Sequence, residues 1–118
     1  RVLSGMADGI MARVFAHLTV QELARWSDKP VINGLCDTEH PCQALADLLT
    51  LREFKGLQGR KIAYVGDGNN VCHSLMLLCA KLGVSFSAAT PQGYEMPAEW
   101  IEEARKWGEI SVSNDPRE

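Results

Sequence analysis

The sequence predicts an α/β fold in which parallel sheets are flanked by helices. Two observations carry this reading. From Lys61 onward, short apolar runs alternate with helical segments, the pattern of consecutive βαβ units. Ahead of them, two more short apolar runs lead into a long, leucine-rich helix that begins at Pro41. Parallel strands need a long crossover, and a helix is the usual one.

Taken in order, Arg1 to Ala7 reads as the last turns of a helix. Gly9–Val14 is a short strand, apolar enough for both of its faces to be covered. Thr19 stands three residues before Glu22, the capping-box spacing. It predicts a helix with Val20, Leu23 and Ala24 on one face, ending near Trp26. Lys29–Asn33 is a second strand, followed by a turn over Gly34–Asp37.

The long helix runs from Pro41 to Phe54. Proline suits its first position because the missing N–H has no partner there anyway. Leu45, Leu48, Leu49 and Leu51 spread around its circumference, so burial between two layers is expected, as in a helix that bridges two domains. Beyond a turn at Leu57–Arg60, strands are expected at Ile62–Gly66, Val84–Ala88 and Glu109–Val112, with helices over Val71–Leu82 and Pro97–Trp107. The chain therefore reads as the end of one Rossmann-like half-domain, residues 1–55 with the bridging helix, joined to the start of a second, residues 56–118.

Composition narrows the function. Acidic and basic residues are interspersed and the net charge is −3, which argues against a nucleic-acid surface. No apolar run approaches the length of a membrane span. Cys36, Cys42, Cys72 and Cys79 contain no CxxC pair, and Cys36-x3-His40-x-Cys42 with Cys72-His73 fits no common zinc spacing. They read as reduced thiols packed as small hydrophobes, as suits a cytoplasmic-type compartment. Gly66-x-Gly68-x-x-Val71 is part of a dinucleotide-binding fingerprint. Its third glycine is absent, and the next strand ends in Ala88-Ala89-Thr90 without an acidic residue for a ribose hydroxyl.

In open parallel sheets, ligands bind beyond the carboxyl ends of the strands. Arg13, the Asn33–His40 turn and the Gly66–Asn70 turn all fall at such ends, so one crevice is expected to gather them. His40 and Gln43 open the long helix, where free N–H groups and the helix dipole favour an anion. Arg13 offers a permanent charge and a fork of donors for a carbonyl or phosphate oxygen. Each has a plainer reading. Arg13 alone equally suits a strand-end surface position, His40 a structural hydrogen bond, and Gln43 a polar helix surface. Asn69 suits a turn and an N-cap. Asp47 reads as structural, pairing with Arg52 or bracing backbone, and His17 as solvent-facing.

His40-Pro-Cys-Gln-Ala-Leu-Ala-Asp-Leu-Leu-Thr50 resembles the carbamoyl-phosphate signature of the aspartate/ornithine carbamoyltransferase family. Gly66-Asp-Gly-Asn-Asn-Val-Cys-His-Ser74, Asn33-Gly34-Leu35 and Ala89-Thr90-Pro91-x-Gly93-Tyr94 resemble its ornithine branch. The resemblance implies transfer of a carbamoyl group from carbamoyl phosphate to the δ-amine of ornithine, giving citrulline and phosphate, as in arginine biosynthesis or the urea cycle. It implies that Arg13 and His40 polarise the carbamoyl oxygen and that Gln43 binds the carbamoyl nitrogen. Leu35, through its backbone, and Asn70 would hold ornithine. It implies no metal and no cofactor, a homotrimer, and a cytoplasmic or mitochondrial-matrix setting.

The family's Ser-Thr-x-Thr-Arg loop, acidic ornithine motif and Cys-Leu-Pro segment are not among these residues, so the chain reads as an internal piece of a longer protein. Marginal folding and weak or no activity are expected of the piece alone. Other acceptors (putrescine, N-acetylornithine or aspartate) and a non-catalytic module that binds a small anion remain as competing readings.

Overall fold

The computed structural model describes residues 1–118. Strand β1 (Ile10–Arg13) and strand β2 (Val31–Leu35) pair in parallel, with helix α1 (His17–Trp26) as their crossover. Helix α2 (Pro41–Lys55) leads to a second sheet of β3 (Lys61–Val65), β4 (Ser85–Ala89) and β5 (Ile110–Ser113), all parallel and in that spatial order. Helices α3 (Asn70–Lys81) and α4 (Ala98–Arg105) are its crossovers. The fold is α/β with parallel sheets and flanking helices, as the alternation of runs predicts.

The main core is built around α3. Cys72, Leu75, Met76, Cys79 and Ala80 of this helix pack with Val84, Phe86 and Ala88 at and within β4, Ile110 of β5 and Ala104 of α4. Helix α2 adds Ala44 and Leu48. Buried residues alternate with half-buried serines along β4, because successive side chains of a strand point to opposite faces. No residue of β1, α1 or β2 joins this core.

Several expectations need correction. Residues 1–7 hold only a short 3-10 turn at Leu3–Gly5. Thr19 does not cap α1, which starts at His17 after Ala16 with no side-chain cap of its own. Asp37 takes that part from another loop, accepting the His17 N–H on Oδ1 at 3.0 Å. Ala24 is exposed, so the inner face of α1 rests on Val20 and Leu23. Neither sheet strand of the first pair is covered on both faces, and Met11 and Ile32 are exposed. In α2, Ala44 and Leu48 are buried, and Leu45 and Leu49 are exposed within residues 1–118.

The second strand lies two residues later than expected, which places Gly34 and Leu35 in β2 rather than in a turn. The cause is a bulge. Ala12 pairs with Asn33 but Arg13 pairs with Leu35, so Gly34 is an extra residue on β2. A Cβ at Gly34 would fall 2.7 Å from Met11 Sδ and 3.2 Å from the Ala12 carbonyl oxygen. Glycine fits the bulge without displacing Met11 or crowding the Ala12 carbonyl, and the bulge is what sets Leu35 opposite Arg13.

Candidate active site at the carboxyl ends of the strands

Residues 36–40, the loop from β2 to α2, form the centre of the site and are tied to both neighbouring loops. On one side, the Asp37 N–H donates to the Phe15 carbonyl at 2.7 Å and the Val14 N–H to the Leu35 carbonyl at 2.9 Å. On the other side, α3 supplies three contacts. Asn70 Nδ2 donates to the Cys36 carbonyl at 2.7 Å, the His40 N–H donates to Ser74 Oγ at 2.8 Å, and His73 Nδ1 lies 3.0 Å from the Thr38 carbonyl. A carbonyl can only accept, so His73 carries its proton on Nδ1. Its ring stacks on Trp100 with centroids 5.0 Å apart.

These bonds gather the three carboxyl-end loops at one edge, where the strand directions predict a crevice. Arg13 ends β1 beside Leu35 and is exposed, and none of the four ion pairs of the chain uses it. His40 is the residue before α2, with Pro41 at the first helical position. Its Nδ1 is enclosed and makes no hydrogen bond within the chain. A buried ring nitrogen without a partner costs about 1–3 kcal/mol. Gln43 is exposed on the first turn of the same helix and donates Nε2 to Asp47 Oδ1 at 2.8 Å. Asp47 therefore pairs with Gln43, and not with Arg52.

That pairing decides which end of the amide is free. With Nε2 held by the carboxylate, Oε1 is left to accept a hydrogen bond from an NH2 group. Leu35 keeps one lone pair on its carbonyl after accepting from Val14. At the second turn, Asn69 caps α3, its Oδ1 accepting from Val71 N at 3.0 Å and Cys72 N at 3.3 Å. Gly68 serves packing: its N–H donates to the Tyr94 carbonyl at 2.8 Å, and a Cβ there would fall 2.5 Å from Met96 N. Gly68 thus admits residues 94–96.

Residues 1–53 match the family described as aspartate/ornithine carbamoyltransferase, carbamoyl-P binding domain, and residues 58–118 match its Asp/Orn binding domain. The chain belongs to the aspartate/ornithine carbamoyltransferase family. It is 54% identical to an ornithine carbamoyltransferase of Carboxydothermus hydrogenoformans, across 100% of this chain and 40% of the relative. It is also 54% identical to that of Bacillus subtilis, across 100% of the chain and 39% of the relative. Among solved structures, ornithine carbamoyltransferase from Pyrococcus furiosus superposes with a TM-score of 0.92 at 50% identity, covering 98% of this chain and 39% of that one. The chain thus spans about 40% of the length of the curated relatives it matches.

Within this carbamoyltransferase framework, the sequence motifs point to Arg13, Leu35, His40, Gln43 and Asn70 but miss their supports. Ser74 and His73 lie in the Gly66–Ser74 motif without an assigned contact, and both prove to hold the 36–40 loop. His17 does not face solvent freely: its Nδ1 lies 3.2 Å from Cys36 Sγ, and it is half-buried. A concavity of about 450 Å³ lies elsewhere, between Val2, Leu3, Ile10, Leu23 and Trp26. It holds none of these carbamoyltransferase candidates. Cys72 and Cys79 are inert: burial pushes each thiol from 9.0 to about 12, and the nearby Asp67 charge adds to the shift at Cys72.

Proposed function

We propose that these residues form part of an ornithine carbamoyltransferase, which moves the carbamoyl group of carbamoyl phosphate to the δ-amine of ornithine. The observation that carries this reading is the joining of two motif-bearing loops. The Asn70 amide sits 2.7 Å from the backbone of the loop that leads to His40, so an amino acid and a carbamoyl donor can meet there. The names of the relatives favour ornithine as the acceptor.

The neutral δ-amine attacks the carbamoyl carbon, and the carbonyl oxygen takes up negative charge. The tetrahedral species then collapses, the C–O bond to phosphate breaks, and the amine loses its proton. Arg13 and His40 donate to the developing oxyanion, where preorganised donors give most of the rate gain. Gln43 Oε1 accepts from the carbamoyl NH2 and fixes its orientation. Asn70 and the Leu35 carbonyl hold the amino-acid end of ornithine. The division into residues 1–55 and 56–118, a homotrimeric assembly and a cytoplasmic setting belong to this same reading. No helix is long and apolar enough to cross a membrane.

Ureido-product formation by the complete protein, with carbamoyl phosphate and each candidate acceptor in turn, tests the proposal. Citrulline from ornithine alone, lost in His40→Ala and in Asn70→Ala, is the expected result. Product from another amine would replace the acceptor, and no product from any amine with a folded protein would overturn the enzyme reading.

A further inference from the structure

Cys36 is fully buried, yet its sulfur is surrounded by nitrogen. Glu39 N and Asn33 Nδ2 each donate to Sγ at 3.3 Å, and His17 Nδ1 lies 3.2 Å away. Two N–H donors fill the accepting side of the sulfur, so the thiol proton is directed at the remaining neighbour, with His17 Nδ1 as acceptor. The main chain of the same residue is as fully used. Its N–H donates to the Glu39 carbonyl at 2.9 Å, and its carbonyl accepts from Asn70 Nδ2 at 2.7 Å. One residue therefore joins β2, the start of α1, its own loop and the start of α3.

We propose that Cys36 is a positioning residue for the amino-acid side of the site, holding Leu35 and setting the Asn70 amide through its own backbone. This rests on the carbamoyltransferase reading above. With Nδ2 held by the Cys36 carbonyl, Asn70 presents Oδ1, an acceptor suited to the α-ammonium group of an amino acid. Leu35 directly precedes Cys36, so a shift of this residue moves both contacts together. His40 is different, because its N–H has a separate anchor on Ser74 and its helix begins at a proline. Loss of the Cys36 sulfur is therefore felt by the amino acid more than by carbamoyl phosphate.

Cys36→Ala leaves two enclosed N–H donors without a partner, whereas Cys36→Ser supplies a hydroxyl that can donate and accept in the same places. In the complete protein, Cys36→Ala is expected to raise the KM for ornithine about tenfold and to leave the KM for carbamoyl phosphate within about twofold. Cys36→Ser restores the ornithine KM. Amide hydrogen exchange at Glu39, whose N–H donates to the sulfur, should quicken in Cys36→Ala and return in Cys36→Ser. Equal rises in both KM values, or alanine and serine variants that behave alike, would overturn the proposal. Should the unmodified protein form no ureido product, the functional reading falls first, and the exchange rates still decide whether the Cys36 sulfur holds this loop.

Discussion

The backbone N–H of His40 donates to Ser74 Oγ at 2.8 Å, across 34 positions of sequence. This bond fixes the entry to α2 against the first turns of α3, and so the donor residue that opens one motif depends on the last residue of the other. Ser74 is buried, and so the bond is not shared with bulk water. Removing the hydroxyl leaves the His40 N–H without its acceptor. Ser74→Ala is expected to lower unfolding free energy by about 1–3 kcal/mol. Urea denaturation measures this, and an unchanged midpoint would show that the bond contributes nothing.

On the role proposed for Gln43, Asp47 would act on the substrate only through that residue. Its carboxylate holds Nε2 and leaves Oε1 free, so Asp47→Ala lets the amide rotate and present the wrong end to the carbamoyl NH2. The expected result is a severalfold rise in the KM for carbamoyl phosphate, with little change in stability because the pair is exposed. In a Gln43→Ala background, Asp47→Ala should have no further effect. Additive losses in that double-mutant cycle would mean that Asp47 has a role of its own.

Cys72 and Cys79 predict an alkaline limit to stability. Burial raises both thiols from 9.0 to about 12. Between these values the unfolded chain has lost protons that the folded chain still binds, so folding weakens as pH rises. Their contribution is complete below pH 9 and falls by roughly 1.4 kcal/mol per pH unit for each thiol up to about 12. Denaturation midpoints followed from pH 8 to 11 should decline, and Cys79→Ala should shrink the slope. The same burial predicts slow labelling of both thiols by alkylating reagents in the folded state.

By itself, the sequence determined the alternation of strands and helices, the start of α2 at Pro41 and the cap at Asn69. It also placed Arg13, His40, Gln43 and Asn70 at the carboxyl ends of strands. These features follow from short-range rules: apolar period, proline geometry, and side-chain bonds to nearby N–H groups. Where a partner lay far along the chain, local pattern was silent or misleading. Thr19 has the spacing of a cap, yet Asp37 serves α1 from another loop. Gly34 and Leu35 look like a turn, yet pairing with β1 draws them into a bulged strand. Four leucines around α2 suggest burial between two layers, and within residues 1–118 α3 covers the Ala44 and Leu48 side. The tertiary structure alone decided that Cys36 and Ser74 hold the site together. Both act on groups 34 positions away, and such a contact comes from the packing of α2 and α3 and leaves no periodic trace in the sequence.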